Sequence, residues 1–514
     1  MNDKLRQLIQ TIRRVMTPSG GLASRTVKSG IWLTVMNVTD RILQMSLLVI
    51  IAALLAPNAV GLLGIALLTL SAIQQFTFLG IDDALIQRKE ENVDAYLNTS
   101  FVLEAARGLL MAAVVFLAAP LVAQLMAQDG PNRAQEIAQI VEVLRWIALS
   151  PILLGLKNPA IVYFRKNLEF HKQAFYSLSG SFVNFAVAVG LALLDYGVMS
   201  LVYGYVLADA VRLVVSYIVH DNRPGLGFEL EKAKDLLNYG KWMTGTKILH
   251  FLLGEGDDIV VGAILGATSL GLYQVAYRIA RAPATEITQI ITRVMFPAFS
   301  KIQEDVTQLR SAFYKTIQIS SFIAFPVAIG IITVAPAFVQ AFLGDDWMQM
   351  VPAMQLIAMY GLLLSVTSTF GSVWKAVGRP DYLTKIGAIR LVVLAAIIIP
   401  MTRQYGITGT AAATLLVYIF PTLPLDVYLA IKSVEGSFFR LLREVSYPFV
   451  ASAGMGLVVY FVDMQVDLWT PIADFFLLTL VGVVAYVVLV AVLELGFGWG
   501  MQRNLQAILT AVRD

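Results

Sequence analysis

Fourteen apolar runs, each about as long as a bilayer core is thick, take up most of this chain. They span residues 29–55, 59–80, 97–121, 139–163, 173–194, 198–219, 241–265, 270–298, 314–335, 351–376, 383–401, 406–430, 446–463 and 472–494. A helix crosses the hydrocarbon in roughly 20 residues at 1.5 Å per residue. No water is available there to satisfy open backbone groups, so the expected fold class is all-α, a polytopic membrane protein. Composition agrees, with 58% hydrophobic and 14% charged residues against about a quarter charged in soluble domains. The longest polar segments run to about 20–25 residues, short of the roughly 50 that a small soluble domain needs. Cysteine is absent, which excludes disulfides and thiolate metal sites.

The basic residues orient the spans. With the amino terminus inside, inner segments hold 26 of the 38 Lys and Arg, outer turns hold Arg133 and Arg403, and the remaining ten fall within spans. Positive charge stays on the cytoplasmic side, so both termini are expected in the cytoplasm. Residues 1–28 are basic without an apolar core, an amphipathic cytoplasmic segment rather than a cleaved signal. A transmembrane bundle over 29–220 is followed by a turn-rich hinge and short amphipathic helix at 221–240. A second bundle covers 241–430, and 431–514 adds two helices and a tail. Gly30, Trp32, Thr34, Leu43, Ala53, Leu55, Gly61 and Leu62 recur as Gly240, Trp242, Thr244, Leu253, Ala263, Leu265, Gly271 and Leu272, all at an offset of 210 positions. Equal orientation of the two windows makes the repeat parallel, about an axis along the membrane normal.

Charge inside the spans points to function. Between Gly240 and Arg281, two spans meet at a turn at Gly266–Gly271 and carry Lys247, His250, Glu255, Asp257, Asp258, Arg278 and Arg281. Each charge at the bilayer centre costs about 2.5–3.5 kcal/mol, so these groups must face a polar interior. Thr34, Asn37, Arg41 and Gln44 form a polar stripe at helical spacing in the first span. Arg107, Arg145 and Arg390 are likewise inside spans, whereas Lys157 and Arg293 are placed to snorkel to the interface. Asp40 beside Arg41, Glu104 with Arg107 and Asp209 with Arg212 are candidate structural pairs. Arg278 and Arg281 have no acid one turn away, so they are candidate anion ligands.

Several chemistries lack their residues. There is no GxxxxGK[ST] loop for nucleotide. His171, His220 and His250 have no metal-ligand spacing. Outer loops reach only about 17 residues, too short for the sizeable acceptor-holding loop of a membrane glycosyltransferase, so no enzyme is expected, no cofactor, and no nucleic-acid partner. The best-placed carboxylates for coupling to an ion gradient are Glu255, Asp257 and Asp258, since neighbouring acids in a low dielectric share a proton.

The segments LLAPNAVGLLG, FLGIDDALIQRKE, NPAIVYFRKNLEFHK, YGKW, GDDIVVGAILGATSLGLYQVAYRIAR, FLGDDWMQMVPAMQLI and AVGRPDYLTK follow one another over nearly the whole chain. In that order they resemble the polysaccharide-transporter (Wzx-like) flippases of the multidrug/oligosaccharidyl-lipid/polysaccharide exporter superfamily, nearest the colanic acid and teichuronic acid branch. The resemblance implies two pseudo-symmetric six-helix bundles plus two C-terminal helices around a cationic cavity. It implies a lipid-linked oligosaccharide as cargo, in the cytoplasmic membrane, with polysaccharide polymerase and assembly proteins as further partners. The diphosphate ligands expected are Arg41, Arg278, Arg281 and Lys247, with Asn37, Arg107, Arg145 and Arg390 lining the cavity. Two other functions stay open: a drug or cation antiporter of the same superfamily, and a non-transporting scaffold for polysaccharide assembly.

Overall fold

The computed structural model describes residues 22–87, 90–465 and 470–498, and among these every regular element is helical. The amphipathic segment expected before residue 22 and the tail beyond 498 lie outside the described residues. The chain divides into two compact units, Met1–Gly271 and Leu272–Asp514.

Unit 1 begins with α1 (Leu22–Leu54), α2 (Pro57–Phe76), a short α3 (Ile81–Gln87) and α4 (Glu90–Met126). It continues with α5 (Arg133–Ile147), α6 (Leu149–Gly155), α7 (Val162–Lys166), α8 (Phe170–Ala192) and α9 (Val198–Val219). Pro57 starts α2 at the position where a missing N–H costs nothing. Its last element is the first part of α10 (Leu230–Lys301), which is broken at Gly266. There φ is 76°, a value glycine adopts without Cβ strain.

The polar segment expected to be a loop and a separate short helix is built differently. Residues 221–229 are irregular, but the helix that starts at Leu230 runs on to Gly266 without interruption. The segment is fastened to α4: Asn98 Oδ1 accepts from Gly225 N (2.7 Å), Thr99 Oγ1 from Glu229 N (3.2 Å), and Tyr96 OH donates to Asp235 (3.0 Å). Leu236 is buried with Ile81, Leu85, Val93 and Leu97. Hydrophobic burial and hydrogen bonding together make this stretch part of unit 1.

The offset of 210 positions reappears as a contact. A Cβ on Gly61 would lie 1.7 Å from the Ala267 carbonyl oxygen, and one on Gly271 would lie 2.1 Å from that of Pro57. Pro57 and Ala267, like Gly61 and Gly271, are repeat mates, so the contact is reciprocal. Such backbone-to-backbone approach is possible only where both positions lack a side chain.

Unit 2 holds the rest of α10, then α11 (Val306–Phe342), α12 (Val351–Ala376) and α13 (Asp381–Val417). A π-helical stretch (Tyr418–Thr422) leads into α14 (Leu423–Ser433), α15 (Phe438–Asp463) and α16 (Pro471–Phe497). Its core gathers Phe299, Phe313, Phe325, Phe370 and Trp374. Asp305 caps α11 by accepting from Thr307 N and Gln308 N, both at 3.0 Å. Leu117, Val392 and Leu495 are 77%, 70% and 90% exposed, the kind of apolar surface that a lipid solvent covers.

Twelve described helices are long and apolar enough to cross a membrane, against fourteen expected. The difference falls at Lys247–Ala284 and Asp381–Ser433, each continuous by length and composition. Both contain a glycine with positive φ, Gly266 and Gly406. Helix resumes so soon after each break that no polar loop separates the two sides.

Candidate functional site

Unit 1 contains a cavity of about 310 Å³ lined by Gln74, Phe78, Glu104, Arg107, Lys157 and Lys247, among others. Close packing of α4 on α6 creates one wall. A Cβ on Gly108 would lie 2.3 Å from the Pro151 oxygen, and one on Gly155 would lie 2.6 Å from that of Glu104. The two glycines therefore bring Arg107 and the end of α6 to the same place. Beyond α6, Asn158 fixes the turn that carries Lys157: its backbone N donates to Ser216 Oγ (3.0 Å), its Nδ2 to the Asn222 oxygen (2.8 Å), and its Oδ1 accepts from Ala160 N (3.0 Å). The opposite wall is tied by Thr244, which donates to the Phe78 oxygen (2.9 Å).

The three cations differ in their compensation. Arg107 pairs with Glu104 (3.3 Å) and also donates to Gln74 O (3.1 Å) and Thr77 Oγ1 (3.4 Å). Lys157 lies 3.5 Å from Asp82. That ammonium holds the Asp82 carboxyl below its usual range. Lys247 sits over the Phe78 ring at 5.1 Å and has no acidic partner among the described residues. A cavity with three cations, two of them partly neutralised, suits a ligand of about two negative charges better than a cation.

A second basic cluster forms in unit 2. Arg390 donates to the Tyr360 hydroxyl (2.7 Å) and stacks on the Tyr360 and Tyr418 rings, each at 5.3 Å. Arg281 lies over Tyr277 (5.0 Å) and Tyr360 (5.8 Å). Tyr360 and Tyr418 meet edge to face at 5.1 Å, which holds the platform rigid. Cation–π contact lets guanidinium groups remain in an apolar bundle.

Of the residues expected from sequence, Lys247 and Arg107 thus meet in unit 1, and Arg281 and Arg390 in unit 2. Arg41 is half-buried and Asn37 exposed on α1. Next to them Asp40 accepts from Gln44 (2.7 Å) and Ser181 (2.6 Å). Arg145 lies on an exposed face over Phe116 at 4.9 Å, and Arg278 is exposed. Asp257 is buried, and Glu255 accepts from Ser71 (3.2 Å). The expected i, i+3 pairs are present: Glu104 with Arg107, and Asp209 with Arg212 at 2.7 Å, the latter acid also accepting from Ser150. Sequence reading missed Lys157, treated as an interfacial anchor, because its partner Asp82 is distant in the chain. It also missed Asp426 in PTLPLDVYLA, although a lone acid in an apolar span is itself a signal. Among the described residues no group of His, Asp and Glu is arranged to hold a metal ion.

Relatives bear on what these cavities serve. The chain is 29% identical over 442 residues to the lipopolysaccharide biosynthesis protein WzxC of Escherichia coli (strain K12), covering 85% of this chain and 88% of that one. It is 25% identical over 486 residues to the succinoglycan biosynthesis transport protein ExoT of Rhizobium meliloti (strain 1021), covering 93% and 95%. Its fold matches an inward closed conformation of the lipid II flippase MurJ with a TM-score of 0.70 at 15% identity, covering 90% of this chain and 99% of that one. A family model described as polysaccharide biosynthesis protein matches residues 50–352. More than half of the chain lies within that match, and the chain belongs to the polysaccharide biosynthesis protein family.

Proposed function

We propose that this chain translocates a polyprenyl-diphosphate-linked oligosaccharide across the cytoplasmic membrane for cell-surface polysaccharide synthesis. The observation that carries the reading is the unit 1 cavity, where Lys247, Arg107 and Lys157 converge inside a bundle of membrane-crossing helices. A diphosphate cannot enter hydrocarbon unaided, and a basic cavity at membrane depth offers it replacement for hydration. Family membership and the transport and flippase names of its relatives support the same cargo class. A drug or cation antiporter would be served poorly by a cavity whose one lining acid among the described residues, Glu104, is already paired with Arg107.

Arg278, Arg281 and Arg41 are further candidate diphosphate ligands in this reading. Translocation proceeds by alternating access of the two bundles, expected from sequence as 25–220 against 240–430 but with residues 240–271 kept in unit 1, coupled to an ion gradient through Glu255, Asp257 and Asp258. The chain acts without catalysis of its own, both termini are cytoplasmic, and polymerase and assembly proteins receive the cargo.

The test is leaflet translocation of a labelled polyprenyl-diphosphate glycan in reconstituted vesicles. Lys247→Ala and Arg107→Ala should each lower the rate at least tenfold, and the double variant should abolish it at unchanged protein level. Wild-type translocation by the double variant would remove the unit 1 cavity from the mechanism. The pair Arg278→Ala and Arg281→Ala tests the rest of the site in the same way, and Lys at either position should restore only part of the rate because it loses the planar fork.

A further inference from the structure

Unit 2 encloses a second cavity, about 260 Å³, near the lower end of the roughly 300–1,000 Å³ of small-ligand clefts. It lies where α12 ends and α13 begins, beside the Val377–Pro380 turn. Its chemistry is unlike that of the unit 1 cavity. Asp426, 7% exposed, lines it together with Arg390 and Lys375, so an acceptor and two cationic donors face one space. No hydrogen bond or ion pair is made by the Asp426 carboxylate among the described residues. The Thr292 hydroxyl can both donate and accept, while Ser368 and Ser372, which donate to the Ser365 and Ser368 oxygens, add acceptors.

Tyr418 is 3% exposed and covered by the Arg390 guanidinium and the Tyr360 ring, so the apolar part of the wall is aliphatic, Leu364, Leu383 and Ile386.

Ligand classes can be separated on charge and geometry. A bare phosphate would meet the Asp426 carboxylate, and a metal or organic cation would meet Arg390 and Lys375. A polyhydroxylated neutral ring needs donors and acceptors side by side with a smaller apolar surface, and Arg390, Lys375 and Asp426 beside aliphatic Leu364 and Leu383 offer that combination. We infer that the unit 2 cavity is a carbohydrate subsite that binds one sugar ring of the cargo. The inference rests on the proposed glycan-lipid cargo and assigns one of its sugar rings to this cavity. On the orientation read from the basic residues, the Val377–Pro380 end is cytoplasmic, where a glycan would be loaded.

The experiment is saturation-transfer-difference NMR on the purified full-length chain in nanodiscs, with free glucose, galactose, N-acetylglucosamine, fucose and glucuronate as probes. At least one probe should receive transfer, and both Asp426→Asn and Thr292→Val should reduce it at least fivefold at unchanged melting temperature. Lys375→Met is a third variant should either of these fail to fold. Transfer to none of the five, or transfer undiminished in every folded variant, overturns the inference. Translocation of a labelled undecaprenyl-diphosphate disaccharide by the wild-type chain is measured alongside. Translocation without sugar binding would sink the subsite and leave the function standing. Sugar binding that depends on Asp426, without translocation, would instead sink the lipid-linked cargo.

Discussion

Substituting Gly61 or Gly271 by alanine tests whether the reciprocal contact holds α2 against the Ala267–Gly271 segment. A new Cβ at Gly61 would stand 1.7 Å from a carbonyl oxygen, and one at Gly271 2.1 Å, where real Cβ contacts essentially never fall below 3.0 Å. Both obstacles are backbone, so no rotamer change relieves them and the helices must separate by about 1 Å, at an overpacking cost of about 1–3 kcal/mol. Helix propensity works the other way, since alanine gains about 1 kcal/mol over glycine in a helix interior. Gly254→Ala isolates that gain, because nothing lies within 4 Å of its added methyl. In detergent, thermal inactivation should therefore quicken by up to about thirtyfold for Gly61→Ala and Gly271→Ala, and slow slightly for Gly254→Ala. One separation accommodates both methyls, so the double variant should cost much less than the sum of the singles. Half-lives equal to that of Gly254→Ala, or strictly additive losses, would refute the contact.

Tyr314 both donates to the Ser437 oxygen (2.8 Å) and accepts from Ser437 N (2.7 Å), latching the start of α15; Tyr314→Phe should cost about 1–3 kcal/mol and speed amide exchange over 436–441, and unchanged exchange would remove the latch. His220 accepts from Asn222 N at Nδ1 (3.1 Å), and burial, then Lys172, lowers its pKa from the ordinary value. Its contribution to stability is therefore complete above about pH 6.5 and is lost as pH falls through the lowered folded value. Exchange over 218–229 should rise on acidification, and a persistent rise in His220→Gln would assign the effect elsewhere. If the acids of α10 couple transport to an ion gradient, Asp258→Asn should leave a translocation rate that no longer responds to imposing or collapsing that gradient. A response equal to wild type would reject the role.

Helix positions were legible wherever an apolar run was bounded by a helix stop. The runs at 198–219 and 351–376 coincide with α9 and α12 because Gly197 and the Val377–Pro380 turn end the pattern. At 221–240 the polar composition suggested a flexible hinge, but composition does not reveal that Asn98 and Thr99 hold this backbone on α4. The segment's polarity marks where it meets water, and its order comes from a helix more than a hundred residues earlier.

Charges followed the same division. A pair at i, i+3 is written into one helix, so Glu104–Arg107 and Asp209–Arg212 could be read from spacing alone. Asp82–Lys157 could not, because the two residues belong to segments that meet only after α4 packs on α6 through Gly108 and Gly155. The sequence pattern did not reveal the direction of Arg145: helical spacing fixes which residues share a face, but the neighbour on that face decides between a cavity and Phe116. Lys247 shows the other outcome, an exposed cation at the start of the Lys247–Ala284 span that lines a cavity with Arg107 and Lys157. Both residues are exposed, so exposure does not separate them. Lys247 carries the functional argument because α4 and the turn after α6 place Arg107 and Lys157 in its cavity, and Arg145 does not because its guanidinium lies over Phe116.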